Sequence, residues 1–486
     1  MSLALVWFRR DLRLTDNPAL QQALERHPQV LPVYIDDPAS ETPWSPGGAS
    51  RWWLHHSLQA LGEALARRGN PLVLRRGASL DALRDLVRDT GASAVYWNRL
   101  YEPAAISRDQ AIKQALRADG LEVQSHNGAL WREPWELKTG GGEPYRVFTP
   151  FWRKLGAELP PLRITPAPEQ IPGPDRRPDA LPLSALGLLP RIPWDAEFPA
   201  HWQPGEAGAH ATLQRFLDEG LAGYHGRRDF PALGNCSRLS PHLHFGEIGP
   251  QQIRAAVLRE QAQAPSIAAD AEHYLRELGW REFGHHLLYH FPATPATPMY
   301  ERFAAFPWRE PGEYGSDLQA WQRGQTGIPI VDAGMRQLWR SGWMHNRVRM
   351  IVASLLTKNL LIPWQEGANW FWDTLVDASL ANNTLGWQWA AGCGADAAPY
   401  FRIFNPLLQS QKFDPEGVYL RRWVPELAAL PTEALHAPWL AAPGTLARAG
   451  VQLGSSYPRP IIDLAASRDR ALAAYDRLKA AETAPG

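Results

Sequence analysis

Along the first third of the chain, short apolar runs alternate with stretches of helical period. The runs are 3–8, 30–35, 72–74 and 94–97, and the helical patterns between them are 19–27, 50–68, 80–90 and 104–118. A fifth strand is expected at 121–124. This order predicts a parallel sheet with helices on both faces. From 159 to 204 prolines recur every few residues, among them Pro160, Pro161, Pro166, Pro168, Pro172 and Pro174. Such spacing defeats helix and central strand alike, so a long linker is expected. From His210 onward the period is helical, with stripes at 212–219, 250–263, 268–290, 330–341, 346–361, 368–376 and finally 467–482. The expected organisation is an α/β doubly wound domain at 1–130, a Pro-rich linker at 131–205 and an all-α domain at 206–486.

A chain of 486 residues suits two domains. The formal net charge is zero, which leaves nucleic-acid binding open, because recognition needs a local basic patch and not a basic total. Two distant cysteines, Cys236 and Cys393, exclude a four-thiolate metal or iron–sulfur site. Nor do they make a disulfide framework, and a reducing cytoplasm is expected. No charged-then-apolar leader opens the chain, and no run of about 18 apolar residues marks a membrane span. The neighbouring pairs His55–His56 and His285–His286 are poor metal candidates, since adjacent residues on a helix face apart. The chain has 22 tryptophans. Core filling accounts for most of them, which leaves a subset for stacking bases or carrying electrons.

Four segments carry candidate chemistry, each with a plain alternative. The stretch 377–383, leading into Gly386-Trp387-Gln388-Trp389, reads as a polar, turn-forming junction between aromatic helices. Asn346 and Met350 share a helix face, flanked by Arg349, which suits a flat, partly polar ligand; a surface arginine helix with one buried methionine is the alternative. Glu277, Trp280 and Arg281 lie at spacings of three and four, so that an indole could stack a nucleobase, a carboxylate accept a hydrogen bond and a guanidinium meet phosphate; the alternative is a salt bridge beside a core tryptophan. Tyr224 and the run from Cys236 through Ser237, Arg238 and Leu239 to Ser240 make a phosphate cradle or an ordinary helix cap. After the first strand, the Gly-rich dinucleotide fingerprint is missing.

Taken in their joint order, these segments resemble the photolyase/cryptochrome family over nearly the whole chain. The resemblance rests on Trp7-Phe8-Arg9-Arg10-Asp11-Leu12-Arg13-Leu14-Thr15-Asp16-Asn17 and on the long runs 327–346 and 387–406. It implies FAD in the helical domain, with Tyr224, Cys236, Ser237, Arg238, Leu239, Ser240, Tyr274, Arg281, Asn346, Arg349, Asp377, Ser379 and Asn383 as its contacts. Arg349 and Asp377 resemble the family's ion pair beside the flavin ring. Cys236 stands where relatives often place threonine, and Ser379 where a second aspartate is usual. Asn383 matches the residue facing flavin N5; plant cryptochromes place an acid there, which can return a proton, as an amide cannot. Trp387, Trp364 and Trp308 match an electron chain from flavin to surface, with Trp321 and Trp339 as competitors for its outer end.

The implied activity is light-driven splitting of cyclobutane pyrimidine dimers in DNA by an electron from reduced FAD. Glu277, Trp280, Asn346, Met350 and Trp389 match the dimer pocket. Relatives that repair the (6-4) lesion place histidines there for proton transfer, and His345 lies about 100° around the helix from Asn346. Arg228, Arg347 and Arg402, with Arg281, are the expected DNA contacts, and the dimer is expected to flip out of the duplex, where damaged bases stack poorly. A second antenna chromophore is implied by many relatives, a folate such as methenyltetrahydrofolate, although Ala104, Ala105 and Leu100 replace the polar contacts of the usual sites. A monomer is the default. A cryptochrome-type light receptor without repair activity and a passive single-strand binder are the rival readings.

Overall fold

The computed structural model describes residues 2–397, 399–400 and 402–483, with side chains to residue 480. Ala398, Phe401 and residues 484–486, parts of the 387–406 run and of the expected 206–486 domain, lie outside the described residues.

Five parallel strands form one sheet in the order β3-β2-β1-β4-β5. They are β1 (Leu3–Phe8), β2 (Gln29–Asp36), β3 (Val73–Arg76), β4 (Ala94–Asn98) and β5 (Glu122–His126). Every residue of β1 is buried, as a central strand covered on both faces requires. Its register is fixed on both sides, with Trp7 opposite Val33 on β2 and Trp97 on β4. Crossover helices Pro18–Arg26, Gly48–Ala66, Ser79–Thr90 and Pro103–Ala118 agree with the expected ones to within two residues. Two begin with proline, whose missing N–H is no loss in a first turn. Asn17 Oδ1 caps the first by accepting from Leu20 N–H.

The helical remainder includes Pro250–Gln263, Ala268–His290, Pro329–Ser341, Asn346–Ser354, Trp364–Thr374, Leu380–Ala391, Pro406–Phe413 and Leu464–Thr483. Two expectations are corrected. The linker contains a helix, Phe148–Ala157, because Phe148, Phe151 and Leu155 form a buried stripe along one face. The expected junction at 377–383 is confined to the turn before Leu380, and from Leu380 to Ala391, Trp387 included, the chain is helical. By internal contacts the chain divides into two compact units. Unit 1 comprises Met1–His225, Ser237–Pro292 and Val376–Ala381, and unit 2 comprises Gly226–Cys236, Ala293–Leu375 and Asn382–Gly486. Within unit 1, two backbone segments approach closely at Gly246. A Cβ there would lie 2.2 Å from Arg10 O, so only glycine lets the 240–249 segment pack on the chain leaving β1.

Candidate functional site

In unit 1, the helix Ala268–His290 carries Tyr274, Glu277, Trp280 and Arg281. Gly279 brings it hard against the helix Phe148–Ala157, since a Cβ at that position would fall 2.4 Å from Trp152 Cε3. One residue on, the Trp280 indole lies flat on Phe148, with centroids 3.7 Å apart and planes at 9°. Phe148 is fully buried, and the Arg276 guanidinium sits 5.2 Å from its centroid. Trp280 and Glu277, one turn apart, are both half-buried. A ring plane held from behind beside a carboxylate is suited to a flat base with a hydrogen-bonding edge. Arg281 departs from expectation. Its guanidinium turns inward and donates to Ala129 O at 2.8 Å, so it braces the chain and does not present itself to a phosphate.

The cofactor candidates of unit 1 form two groups. Tyr224 and Tyr274 meet edge to face at 5.3 Å, and Phe216 packs on both. Arg238 adopts a left-handed conformation, φ 55°, and Leu239 returns to the right-handed region. That succession turns neighbouring N–H groups to one side, which makes a concavity for an anion such as a pyrophosphate. Ser237 Oγ accepts from Leu239 N–H at 3.4 Å, and Ser240 Oγ donates to Asp377 Oδ2 at 2.6 Å. Ser379 is buried just ahead of the helix Leu380–Ala391.

In unit 2, Asn346 is exposed and Met350 half-buried, one turn apart on the helix Asn346–Ser354. His345 is the cap of that helix. Its Nδ1 accepts from Arg347 N–H at 3.1 Å, so the ring proton resides on Nε2, 3.3 Å from Cys236 Sγ. Burial pushes His345 down to about 4, and it is neutral at physiological pH. Arg349 Nε donates to Met344 O at 2.8 Å. Asp377 lies in unit 1 and Arg349 in unit 2.

The helix Leu380–Ala391 is tethered through Gln388. Its amide donates to Thr294 O and Thr297 O and accepts from Met299 N–H. Asn383 Nδ2 donates to Ala368 O at 3.0 Å. Trp387 rests on Gly367, meets Phe371 at 5.0 Å and Trp321 at 6.1 Å. Trp364 lies on the same helix face as Gly367 and Phe371 and is buried. Trp308 is half-buried against Phe306 at 4.5 Å. Of its competitors, Trp321 is fully buried, whereas Trp339 is 49% exposed and stacked on Trp370. Trp389 is half-buried.

An open cleft of about 320 Å³ in unit 2 brings together Arg347, Arg402 and Lys412 with the rings of Phe230, Phe404 and Phe413. Arg347 pairs with Asp229 at 2.5 Å and lies over Phe413 at 4.5 Å. Arg228 is 3.9 Å from the same aspartate. Lys412 and Phe413 were not singled out by sequence reasoning. Their segment has no diagnostic spacing, and only Asn405, accepting from Leu407 N–H to start the helix Pro406–Phe413, hints at how they are placed. Cations interleaved with aromatic faces suit a nucleic-acid backbone and its bases.

Residues 4–173 match a family model described as DNA photolyase, and residues 274–477 one described as the FAD binding domain of DNA photolyase. The chain is 50% identical over 477 residues to a deoxyribodipyrimidine photo-lyase of Agrobacterium fabrum, covering 98% of each. It is 39% identical to cryptochrome-2 of Arabidopsis thaliana, covering 98% of this chain and 79% of that one. The crystal structure of a bacterial class III photolyase from Agrobacterium tumefaciens superposes with a TM-score of 0.95 at 49% identity, covering 99% of this chain and 98% of that one.

Proposed function

The chain belongs to the photolyase/cryptochrome family, and on that premise we propose that it is a deoxyribodipyrimidine photo-lyase that splits cyclobutane pyrimidine dimers in DNA under light. The observation that carries this reading is Trp280 laid flat on Phe148 one turn from Glu277. A flipped-out base needs a rigid ring to stack on and an acceptor for its edge, and these two residues offer both.

The roles follow from the chemistry of each group. Arg347, Arg402 and Lys412 hold backbone phosphates, which positions the strand with little regard to sequence. Trp280 stacks on the dimer, and Glu277 accepts a hydrogen bond from a thymine edge. Asn346, Met350 and Trp389 are assigned to the same lesion by resemblance. In unit 1 the residues present suit FAD, the turn at Arg238–Leu239 its pyrophosphate and Tyr224 and Tyr274 its ring faces; Asn383, its amide held by Ala368 O, is assigned to the flavin by resemblance. When bound, the reduced flavin supplies the light-driven electron that opens the cyclobutane ring and takes it back. Trp387, Trp364 and Trp308 serve the resupply of electrons. Asn383 cannot act as a proton donor, which favours repair over cryptochrome-type signalling.

A second chromophore, a folate such as methenyltetrahydrofolate, is part of the proposal through resemblance alone. An open α/β sheet takes ligands at the carboxyl ends of its strands. In this chain that place is filled by Arg9 paired with Asp109 at 2.6 Å and Arg10 paired with Glu102 at 2.5 Å. Burial opposes ionisation of Glu102, but Arg10 prevails and holds it down to about 2. A folate would need another seat. Among the described residues, no helix is long and apolar enough to cross a membrane; a cytoplasmic monomer is the accompanying proposal.

The test is repair of a dimer-containing oligonucleotide by the flavin-loaded protein under blue light. We expect splitting by the wild type and its loss, with flavin absorbance retained, in Glu277→Ala and Trp280→Ala. Absence of splitting by reduced wild-type protein that binds the oligonucleotide would instead favour the light receptor.

A further inference from the structure

The helix Asn346–Ser354 runs on into a π turn, Leu355–Asn359. Wide turns of this kind recur at functional places, where a side chain is presented off the regular helical register. This one presents Lys358, which is 1% exposed. Its Nζ donates to Arg402 O at 3.0 Å and lies 5.2 Å from the centroid of Tyr400. Four residues earlier, Ser354 Oγ accepts from Phe404 N–H at 3.2 Å. One helical run therefore grips the main chain at two alternate residues, 402 and 404, and both of those residues line the cationic cleft.

A buried ammonium is unfavourable, and a methionine of similar length would fill the space without the charge. Burial, with the like charge of Arg402 beside it, pushes Lys358 down to about 7. The same repulsion has a directional effect. The ammonium attracts the carbonyl of Arg402 and repels its guanidinium, which lies 5.8 Å from the Phe404 ring on the cleft side. Tyr400 completes the support from the other direction. It stacks on Tyr475 at 4.7 Å and packs on Phe306 at 5.2 Å, so the segment is held from both sides.

We propose that Lys358 is a positioning residue for strand binding: it pins the main chain at Arg402 so that the Arg402 guanidinium faces a backbone phosphate in the cleft. Lys358 is buried and touches no phosphate itself. The proposal rests on the reading of the cleft as the strand site, and its test separates the two.

The test is binding of a dimer-containing oligonucleotide to the flavin-loaded full-length protein over a salt series, by fluorescence anisotropy. Four variants are compared: Lys358→Met, Ser354→Ala, Arg402→Ala and the double Lys358→Met/Arg402→Ala. Lys358→Met should weaken binding about three- to tenfold and make the plot of log K against log salt shallower by about one phosphate. Flavin absorbance, repair rate at saturating substrate and melting temperature should not fall. Arg402→Ala should show the same loss, and the double variant no further loss, because both act through one contact. Ser354→Ala should weaken binding in the same direction by less. Wild-type affinity and slope in Lys358→Met, alongside a loss in Arg402→Ala, overturns the clamp and leaves the cleft as the strand site. Wild-type binding in both overturns the cleft reading and the clamp with it. Weaker binding accompanied by lost flavin and a lower melting temperature makes Lys358 merely structural.

Discussion

Gly367 and Gly386 both sit inside helices, and the same substitution should have opposite effects at the two. On helix propensity alone, glycine to alanine in a helix interior gains about 0.8–1.0 kcal/mol. At Gly386 nothing lies within 4 Å of the added Cβ, so that gain should appear almost undiminished. At Gly367 the Cβ would lie 2.0 Å from Trp387 Cη2, 2.3 Å from Cζ3 and 2.6 Å from Cζ2. Carbon atoms in contact prefer about 3.5–4.0 Å, so the indole would have to retreat by roughly 1.5 Å. It has little room to do so, being 2% exposed with Phe371 at 5.0 Å and Trp321 at 6.1 Å. Overpacking of this kind costs about 1–3 kcal/mol, which exceeds the propensity gain. For a chain of this size each kcal/mol moves the melting temperature by about 2 °C or less. Gly386→Ala should therefore melt up to about 2 °C above the wild type and Gly367→Ala below it, by up to about 4 °C. If Trp387 is the electron-carrying residue nearest the flavin, blue-light flavin reduction in thiol buffer should slow in Gly367→Ala and stay unchanged in Gly386→Ala. A Gly367→Ala protein that melts as high as Gly386→Ala and photoreduces at the wild-type rate would refute both the packing and the role of Trp387.

Three further outcomes are expected. Phe148→Leu keeps apolar volume but removes the flat ring behind Trp280, so KM for dimer DNA should rise several-fold while the saturated repair rate holds; a changed rate at saturation with unchanged KM would count against Phe148 as a support. Lys358 should make stability depend on pH. Its proton is held below about 7 in the folded protein and below 10.5 when free, so the unfolded chain carries the extra proton between these values and stability climbs with pH across that window. Lys358→Met should thus be more stable than the wild type at pH 6, by a margin that narrows towards pH 10 in urea titrations; a constant margin would contradict this. Binding to an undamaged oligonucleotide should weaken with salt, with a slope near −2 to −3 for the three cleft cations, and Lys412→Ala should reduce that slope by about one.

Alternation of apolar runs with helical stripes placed all five strands and the crossover helices, because a buried parallel strand must be apolar throughout and an amphipathic helix repeats its stripe locally. The helix Phe148–Ala157 escaped notice because it lies between a glycine-rich and a proline-rich stretch, and its three-residue stripe is short. The helix Leu380–Ala391 escaped for another reason: Asn382, Asn383 and Gly386 are poor helix formers, and tertiary anchors such as Gln388 outweigh that local preference.

The candidate site divides in the same way. Glu277, Trp280 and Arg281 were legible as one helix face, and Asn346 with Met350 likewise, whereas Tyr274 entered only through the resemblance. The sequence alone therefore determined the local elements, the residues that share a helix face and, through long motifs, the family. Only the tertiary structure decided that Arg281 turns inward, that Phe148 backs Trp280, and that Arg347, Arg402 and Lys412 meet in one cleft with buried Lys358 beneath the loop. Those facts depend on packing between segments far apart in the chain, where burial and charge set which way a side chain points, and no periodicity in the sequence encodes that direction.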